Sequence, residues 1–331
     1  MATDEASLPP PFEVSLVVPV YQGERTLQLL VDEVVPLTQL QVSDGGRQFR
    51  VVELVLVHDG AVDSSAHVMR ELAERHAFVR PIWLSRNFGQ HAATFAGLAS
   101  TVGEWVVTLD EDGQQDPRDV SRMLDCALDQ RVRLVYARPT NPPPHGPVRN
   151  AFSTLAKWLF ARVLGANIGR FNSFRLIEGE VARSVAAYSG PNVYLDVALS
   201  WVVGLAERCP VRLRDERGRR SGYTPRRLMR HFWQLVLSSG TLPLRLIAVV
   251  GFASIAFSIV YSALQIWDWW HHKIAVQGWT SLMIVTCLFA GLTLVSIGII
   301  AEYVGFSVSM AMGKPTYLIV SRPREDLAKK A

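Results

Sequence analysis

Two stretches near the C-terminus, residues 246–266 and 282–301, contain no Asp, Glu, Lys or Arg. Each is about 20 residues long, the length at which an α-helix crosses the hydrocarbon core of a bilayer. A buried helical hairpin in a water-soluble core is the alternative, and the flanks argue against it. Trp267, Trp269 and Trp270 lie between the two stretches, as suits a membrane interface. Arginines gather before the first stretch, and Lys314, Arg322, Arg324, Lys329 and Lys330 follow the second, whereas Lys273 is the one Lys or Arg in the connection. The excess of positive charge on cytoplasmic flanks then places both chain ends in the cytoplasm and the connection outside.

The remainder of the 331 residues reads differently. Short apolar runs at 14–20, 51–57, 79–84, 105–109 and 133–137 predict strands. Helical periodicity at 24–41 (shortened by Pro36), 64–76, 90–101 and 120–130 fills the gaps. Strands alternating with helices predict an α/β domain with a mainly parallel sheet and helices on both faces. The glycines spell neither the dinucleotide fingerprint nor the phosphate loop of nucleotide hydrolases. Beyond Arg138 the pattern predicts helices at 148–164, 178–188 and 194–206 and a last strand at 209–213. Residues 226–237 read as an amphipathic helix with Arg226, Arg227 and Arg230 on its polar side, suited to an anionic membrane surface. The expected organisation is a cytoplasmic domain over 1–222, an amphipathic juxtamembrane helix over 223–242, a transmembrane hairpin over 243–305 and a cytoplasmic tail over 306–331.

The net charge of +4 is modest and concentrated at the approach to the membrane, so no nucleic-acid partner is expected. Cys126, Cys209 and Cys287 are odd in number and lack metal-ligand spacing, which fits a reducing compartment. The acidic N-terminal residues, without an apolar segment, predict no signal peptide.

The most chemical stretch follows the strand at 105–109. It reads Asp110-Glu111-Asp112-Gly113-Gln114. If the strand continues, alternate side chains share a face, and Asp110 and Asp112 reach one point. Paired carboxylates at the end of a buried strand need a positive partner. Mg²⁺ or Mn²⁺ takes one or two carboxylates together with phosphate oxygens, so a cation holding a diphosphate is one reading. A solvated turn ahead of a helix starting at Pro117 is the other.

Several further runs carry a resemblance. They are Val18-Pro19-Val20-Tyr21 with Glu24, His58-Asp59-Gly60-Ala61-Val62-Asp63, Leu84-Ser85-Arg86-Asn87-Phe88-Gly89 with Ala96-Gly97-Leu98, the acidic stretch through Pro117, Phe174-Arg175-Leu176, and Ser221-Gly222-Tyr223 ahead of the apolar stretches. In this order they resemble the family 2, GT-A-fold glycosyltransferases that act on polyprenyl phosphates, such as dolichol-phosphate mannose synthases and bacterial undecaprenyl-phosphate glucosyltransferases. The resemblance covers nearly the whole chain.

It implies a Rossmann-like GT-A domain and an inverting transfer of a sugar from a UDP- or GDP-linked donor to undecaprenyl, decaprenyl or dolichyl phosphate. It also implies a bacterial plasma-membrane location and association into homo-oligomers. Asp110 and Asp112, with Gln114 as a further ligand, would hold Mg²⁺ or Mn²⁺. Pro19, Tyr21, Glu24, Asp59 and Asp110 would line the nucleotide site. Arg138, Arg149, Ser173 and Arg175 are candidates for the acceptor phosphate, arginine being suited to bidentate phosphate contacts.

The chain departs from the family pattern in places. His58 stands where the family has an aspartate. Asn172-Ser173 stands where some bacterial members have an acid, which makes Asp196 a candidate catalytic carboxylate in its place. The Arg217–Arg220 run and the loop at 141–147 also differ. A family 2 transferase with another membrane acceptor, or a scaffold with a degenerate site, are the competing readings.

Overall fold

The computed structural model describes residues 10–141, 172–191, 193–214, 242–271 and 278–323. The chain divides into two compact units, residues 1–222 with 315–331, and residues 223–314. The expected helix at 148–164, the loop residues from Pro142 onward, Arg149, the Arg217–Arg220 run, the Ser221–Tyr223 segment and the amphipathic helix at 226–237 lie outside the described residues.

The first unit is built on β1 (Phe12–Val20), α1 (Leu27–Val34), β2 (Gln41–Val42), β3 (Gln48–His58), α2 (Ser65–Arg75), β4 (Val79–Leu84), α3 (Gln90–Ala99) and β5 (Trp105–Thr108). It continues through α4 (Val120–Gln130), β6 (Leu134–Pro139), β7 (Arg175–Glu178), α5 (Gly179–Tyr188), α6 (Leu195–Val202), β8 (Glu207–Val211) and β9 (Ile319–Val320). A 3₁₀ turn at Val35–Thr38 ends α1 where Pro36 removes a helical donor. A second, Pro117–Asp119, leads into α4, with the Asp116 carboxylate accepting from the Arg118 amide.

The strands lie in the order β8-β6-β7-β5-β1-β3-β4-β9, with β2 beside β3. The sheet is mixed rather than mainly parallel. Among the described residues, β1 pairs in parallel with β3 and β5, β3 with β4, and β6 with β8, while β2–β3, β4–β9, β5–β7 and β6–β7 are antiparallel.

Period-two alternation sends β1 side chains to both faces. Leu16 and Val18 join Leu54 and Leu56 of β3 in a core closed by Leu27, Leu30 and Val31 of α1 and by Met69 and Leu72 of α2. Val17 and Val57 face the other way, onto α3, where a Cβ on Gly97 would stand 2.3 Å from Val17 Cγ1. The missing side chain is what lets α3 lie this close to the sheet. Helices therefore cover both faces, and β1, β3, β4, β5, β6 and β8 all end at one edge. Because β7 runs the other way between β5 and β6, it begins at that edge, with Arg175 opposite Thr108 and Tyr136.

The second unit contains α7 (Leu242–Trp270) and α8 (Trp279–Ala311). Within α8, Leu288–Ala311 is 24 residues with a mean hydropathy of 1.8, long and apolar enough to cross a membrane. In α7 the apolar stretch Ile247–Tyr261 is shorter than a span.

Candidate active site

The shared strand edge gathers the chemistry. A cavity of about 160 Å³ opens there, lined by Pro19, Gln90, His91, Thr94, Thr108, Leu109, Asp110, Asn172, Ser173, Arg175 and Asp196. Five of the residues singled out from sequence therefore meet around one space: Pro19, Asp110, Ser173, Arg175 and Asp196.

The acidic stretch is a turn, not a strand. β5 stops at Thr108, and Gly113 takes φ +75°. The three acids consequently have separate jobs. Asp110 is held from three sides. Its Oδ1 accepts from Gln90 Nε2 at 2.7 Å, and its Oδ2 accepts from Gln115 Nε2 at 2.9 Å and from the Ser173 hydroxyl. Burial pushes its pKa up, the Ser173 hydrogen bond pulls it down, and the charge of Asp112 pushes it up again.

Glu111 turns away and is buried. Its carboxylate accepts from the backbone amides of Tyr21, at 2.8 Å, and Gln22, at 3.0 Å, pinning the β1–α1 loop. Asp112 is half-buried and accepts the Gln114 amide, at 3.0 Å on Oδ1. Its other oxygen makes no hydrogen bond among the described residues.

The loops after β1, β3 and β4 are locked to one another. Asp59, at the end of β3, accepts from the amides of Phe88 at 2.7 Å and Gly89 at 2.8 Å. Burial raises its pKa to about 6 against the pull of these two amides. Gly60 has φ +60°, and a Cβ there would stand 2.7 Å from the Asn87 amide, so the turn needs glycine. The Glu24 carboxylate accepts from the Ser64 amide at 3.3 Å, and the Glu24 amide donates to Asp63. His58 is buried against Trp83, ring centroids 5.4 Å apart, and burial lowers its pKa. It closes β3 as a buried residue.

At the cavity floor, Arg175 Nη1 lies 3.2 Å from Asp196 Oδ1, which also accepts from the Tyr136 hydroxyl at 3.1 Å. Burial pushes the Asp196 carboxyl up, and Arg175 opposes the shift. Arg175 Nε donates to the Asn172 carbonyl at 2.9 Å, and the Asn172 side chain ties Ala137 to Phe174. Arg138 is exposed on β6, Tyr21 is engaged through its amide, and neither lines the cavity. Gln114 accepts the Arg214 amide through its carbonyl, while its neighbour Gln115 is the one that holds Asp110.

Sequence reasoning missed Gln90, Gln115 and Glu111. Gln90 opens α3 directly after the Asn87-Phe88-Gly89 turn, and that position was the available signal. Among the described residues no group of three or more His, Cys, Asp or Glu side chains could hold a metal by itself. Asp112 with Asp110 is a two-carboxylate set, the kind that Mg²⁺ or Mn²⁺ accepts when phosphate oxygens and water complete its shell.

Comparison with known proteins gives the chain's relatives. Residues 15–168 match the model described as Glycosyl transferase family 2. The bactoprenol glucosyl transferase of Shigella phage SfX is 27% identical over 94% of this chain and 99% of its own. The undecaprenyl-phosphate 4-deoxy-4-formamido-L-arabinose transferase of Klebsiella pneumoniae (strain 342) is 27% identical over 97% of this chain and 98% of its own. Among solved structures, the glucosyl-3-phosphoglycerate synthase of Mycobacterium tuberculosis in complex with phosphoglyceric acid superposes with a TM-score of 0.50 and 19% identity. It covers 69% of this chain and 79% of its own, a likeness of fold.

Proposed function

Residues 15–168 form a family 2 glycosyltransferase domain and the protein is a glycosyltransferase; from that premise we propose that it moves a sugar from a nucleotide-sugar to a polyprenyl phosphate in a bacterial plasma membrane. The observation that carries this reading is the end-to-end likeness to two transferases whose names give bactoprenol or undecaprenyl phosphate as their lipid. That likeness extends well past residue 168 into the apolar helices.

The geometry supports a single displacement. A phosphate monoester is largely ionised at neutral pH, so its oxygen attacks the anomeric carbon without a strong base. The new bond joins that carbon to the lipid phosphate oxygen, the bond to the nucleoside diphosphate breaks, and configuration inverts. Catalysis is then positioning and charge stabilisation. Arg175, at the cavity floor, is suited to one phosphate, and Asp196 keeps its guanidinium in place. Asp59, Glu111 and Glu24 hold the loops that frame the donor.

Asp112, helped by Asp110, would hold Mg²⁺ or Mn²⁺, which when bound offsets the charge of the departing diphosphate. In the second unit, apolar side chains such as Leu294, Val295 and Ile297 of α8 are exposed, as a lipid-facing helix requires. We take α7 and α8 as two spans, with both chain ends in the cytoplasm.

The test is transfer of label from a panel of UDP- and GDP-sugars into organic-extractable lipid, using membranes supplied with polyprenyl phosphate and Mg²⁺ or Mn²⁺. EDTA-sensitive label in lipid is the expected result. No label from any donor, with folded protein, would overturn the reading.

A further inference from the structure

Arg214 follows β8 and occupies a position that none of the site residues above explains. Its Nη1 donates to both oxygens of Glu33 on α1 at 2.8 Å. Its Nη2 lies 2.6 Å from Oδ2 of Asp116. Its amide donates to the Gln114 carbonyl at 2.8 Å. One residue thus ties the downstream half of the acidic turn to the first helix by three separate contacts. The guanidinium fork suits this, because it can serve two carboxylates in one plane.

The pair is not a solvated surface bridge. The side chains of Arg214, Glu33 and Asp116 are only 21%, 29% and 18% exposed. Burial pushes the Asp116 carboxyl up, yet hydrogen bonds from Arg118 and Arg214 outweigh it and hold the carboxyl at about 2.

The other ends of the turn are fixed independently. Asp110 is held by Gln90, Gln115 and Ser173, and Glu111 holds the amides of Tyr21 and Gln22. What stands between these anchors and Arg214 is Asp112, whose carboxylate, among the described residues, is bonded by the Gln114 amide alone. Gln114 is the residue whose carbonyl Arg214 holds. Asp112 therefore has its position set from the downstream side by Arg214.

We propose that Arg214 is a positioning residue for the donor site, fixing Asp112 by fastening Gln114 and Asp116 to Glu33. It touches neither substrate nor metal. The inference rests on the reading of Asp112 as the residue that meets the metal and diphosphate. Without Arg214, Glu33 and Asp116 face each other as like charges, and the Gln114–Asp116 segment loses its tie to α1. The damage falls on metal and donor, not on acceptor.

The test uses the full chain in detergent micelles and measures Mn²⁺ binding in the presence of UDP or GDP by electron spin resonance, with donor KM, acceptor KM and Tm alongside. R214M is expected to weaken Mn²⁺ binding and raise donor KM on the order of tenfold, what one charge-assisted hydrogen bond is worth. Acceptor KM stays unchanged. R214K, which keeps the charge but not the fork, falls between, and E33Q reproduces part of the R214M effect.

Unchanged Mn²⁺ binding in R214M, with a wild type that binds, overturns the inference and leaves the proposed function standing. An equal loss for donor and acceptor together with a fallen Tm also overturns it, since a merely structural residue behaves that way. A wild type that binds no metal with any nucleotide overturns the functional reading and the inference together.

Discussion

Nη1 of Arg175 lies 3.2 Å from Oδ1 of Asp196, and both side chains are shut away from solvent. Their closeness follows from topology. β7 begins at the edge where β5 and β6 end, which brings Arg175 beside Tyr136, and Asp196 arrives from α6 to accept from both. Removing one partner leaves an uncompensated charge indoors, a loss of about 3–5 kcal/mol. Asp196→Ala is therefore expected to lower Tm sharply and to reduce transfer. Exchanging both residues, as Arg175→Met with Asp196→Leu, should cost less than the two single changes added together. Thermal unfolding of the four proteins checks this, and strictly additive losses would contradict an interacting pair.

Asp59 makes stability depend on pH. Burial raises its folded pKa to about 6 from an ordinary 3.8. Between these values the folded protein binds the extra proton, so the contribution of Asp59 to stability is full below the lower value and fades as pH rises through about 6. The swing is about 3 kcal/mol. Asp59→Asn cannot titrate. The wild-type advantage in Tm over Asp59→Asn should therefore shrink from pH 4 to pH 7 and level off above. Activity runs the opposite way, because only the ionised carboxylate accepts both the Phe88 and Gly89 amides. A Tm difference that stays constant across this range would show that Asp59 does not titrate there.

Much of the sheet was legible because buried parallel strands carry apolar, β-branched runs, as residues 14–20 of β1 and 54–57 of β3 do. β7 was not, since its four residues include Arg175 and Glu178 and look like a motif instead of a strand. β9 was hidden because two residues carry no period, and their partner, β4, lies far back in the chain.

At the site, Asp110 and Asp112 stood out as carboxylates. Strand alternation does not bring them together, because the pleat ends at Thr108 before either residue. In the same turn it is Gln115 that reaches Asp110, beside Gln114, which the resemblance implies as a metal ligand. The jobs of Glu111 and Asp59 were invisible, since both serve backbone amides of loops remote in sequence.

The acidic turn predicts a division of labour. Asp112→Asn keeps an oxygen for the Gln114 amide, so Tm should hold while transfer falls at least about a hundredfold, the scale for losing one electrostatic contact to a developing charge. Glu111→Gln behaves in the reverse sense. One of the Tyr21 and Gln22 amides loses its acceptor in a buried setting, which costs about 1–3 kcal/mol. Its Tm should drop, with donor KM rising as the β1–α1 loop loosens. Paired melting curves and initial rates decide this, and similar Tm losses in both variants would erase the distinction.

The last prediction concerns the segment after α8. Ile319 and Val320 pair with Leu84 and Trp83, the Ser85 amide donates to the Leu318 carbonyl at 3.0 Å, and the Thr316 hydroxyl donates to Ser189 at 3.1 Å. Val320 also packs against the main core. The segment thus covers β4, which would otherwise be an open edge with free amides and carbonyls. Trp83 contacts His58, and His58 precedes Asp59, so the covered edge lies beside the Asp59 turn. Ending the chain at Lys314 removes the strand and its apolar cover, a loss of about 2 kcal/mol. The expected outcome is a lower Tm, faster hydrogen exchange in β4 and a higher donor KM, with membrane retention unchanged under the proposed reading of α7 and α8 as spans. Val320→Asp, which spares the backbone pairing, should give a smaller change in the same direction. If the β4 amides exchange as slowly in the shortened protein as in the full chain, β9 contributes nothing to this edge.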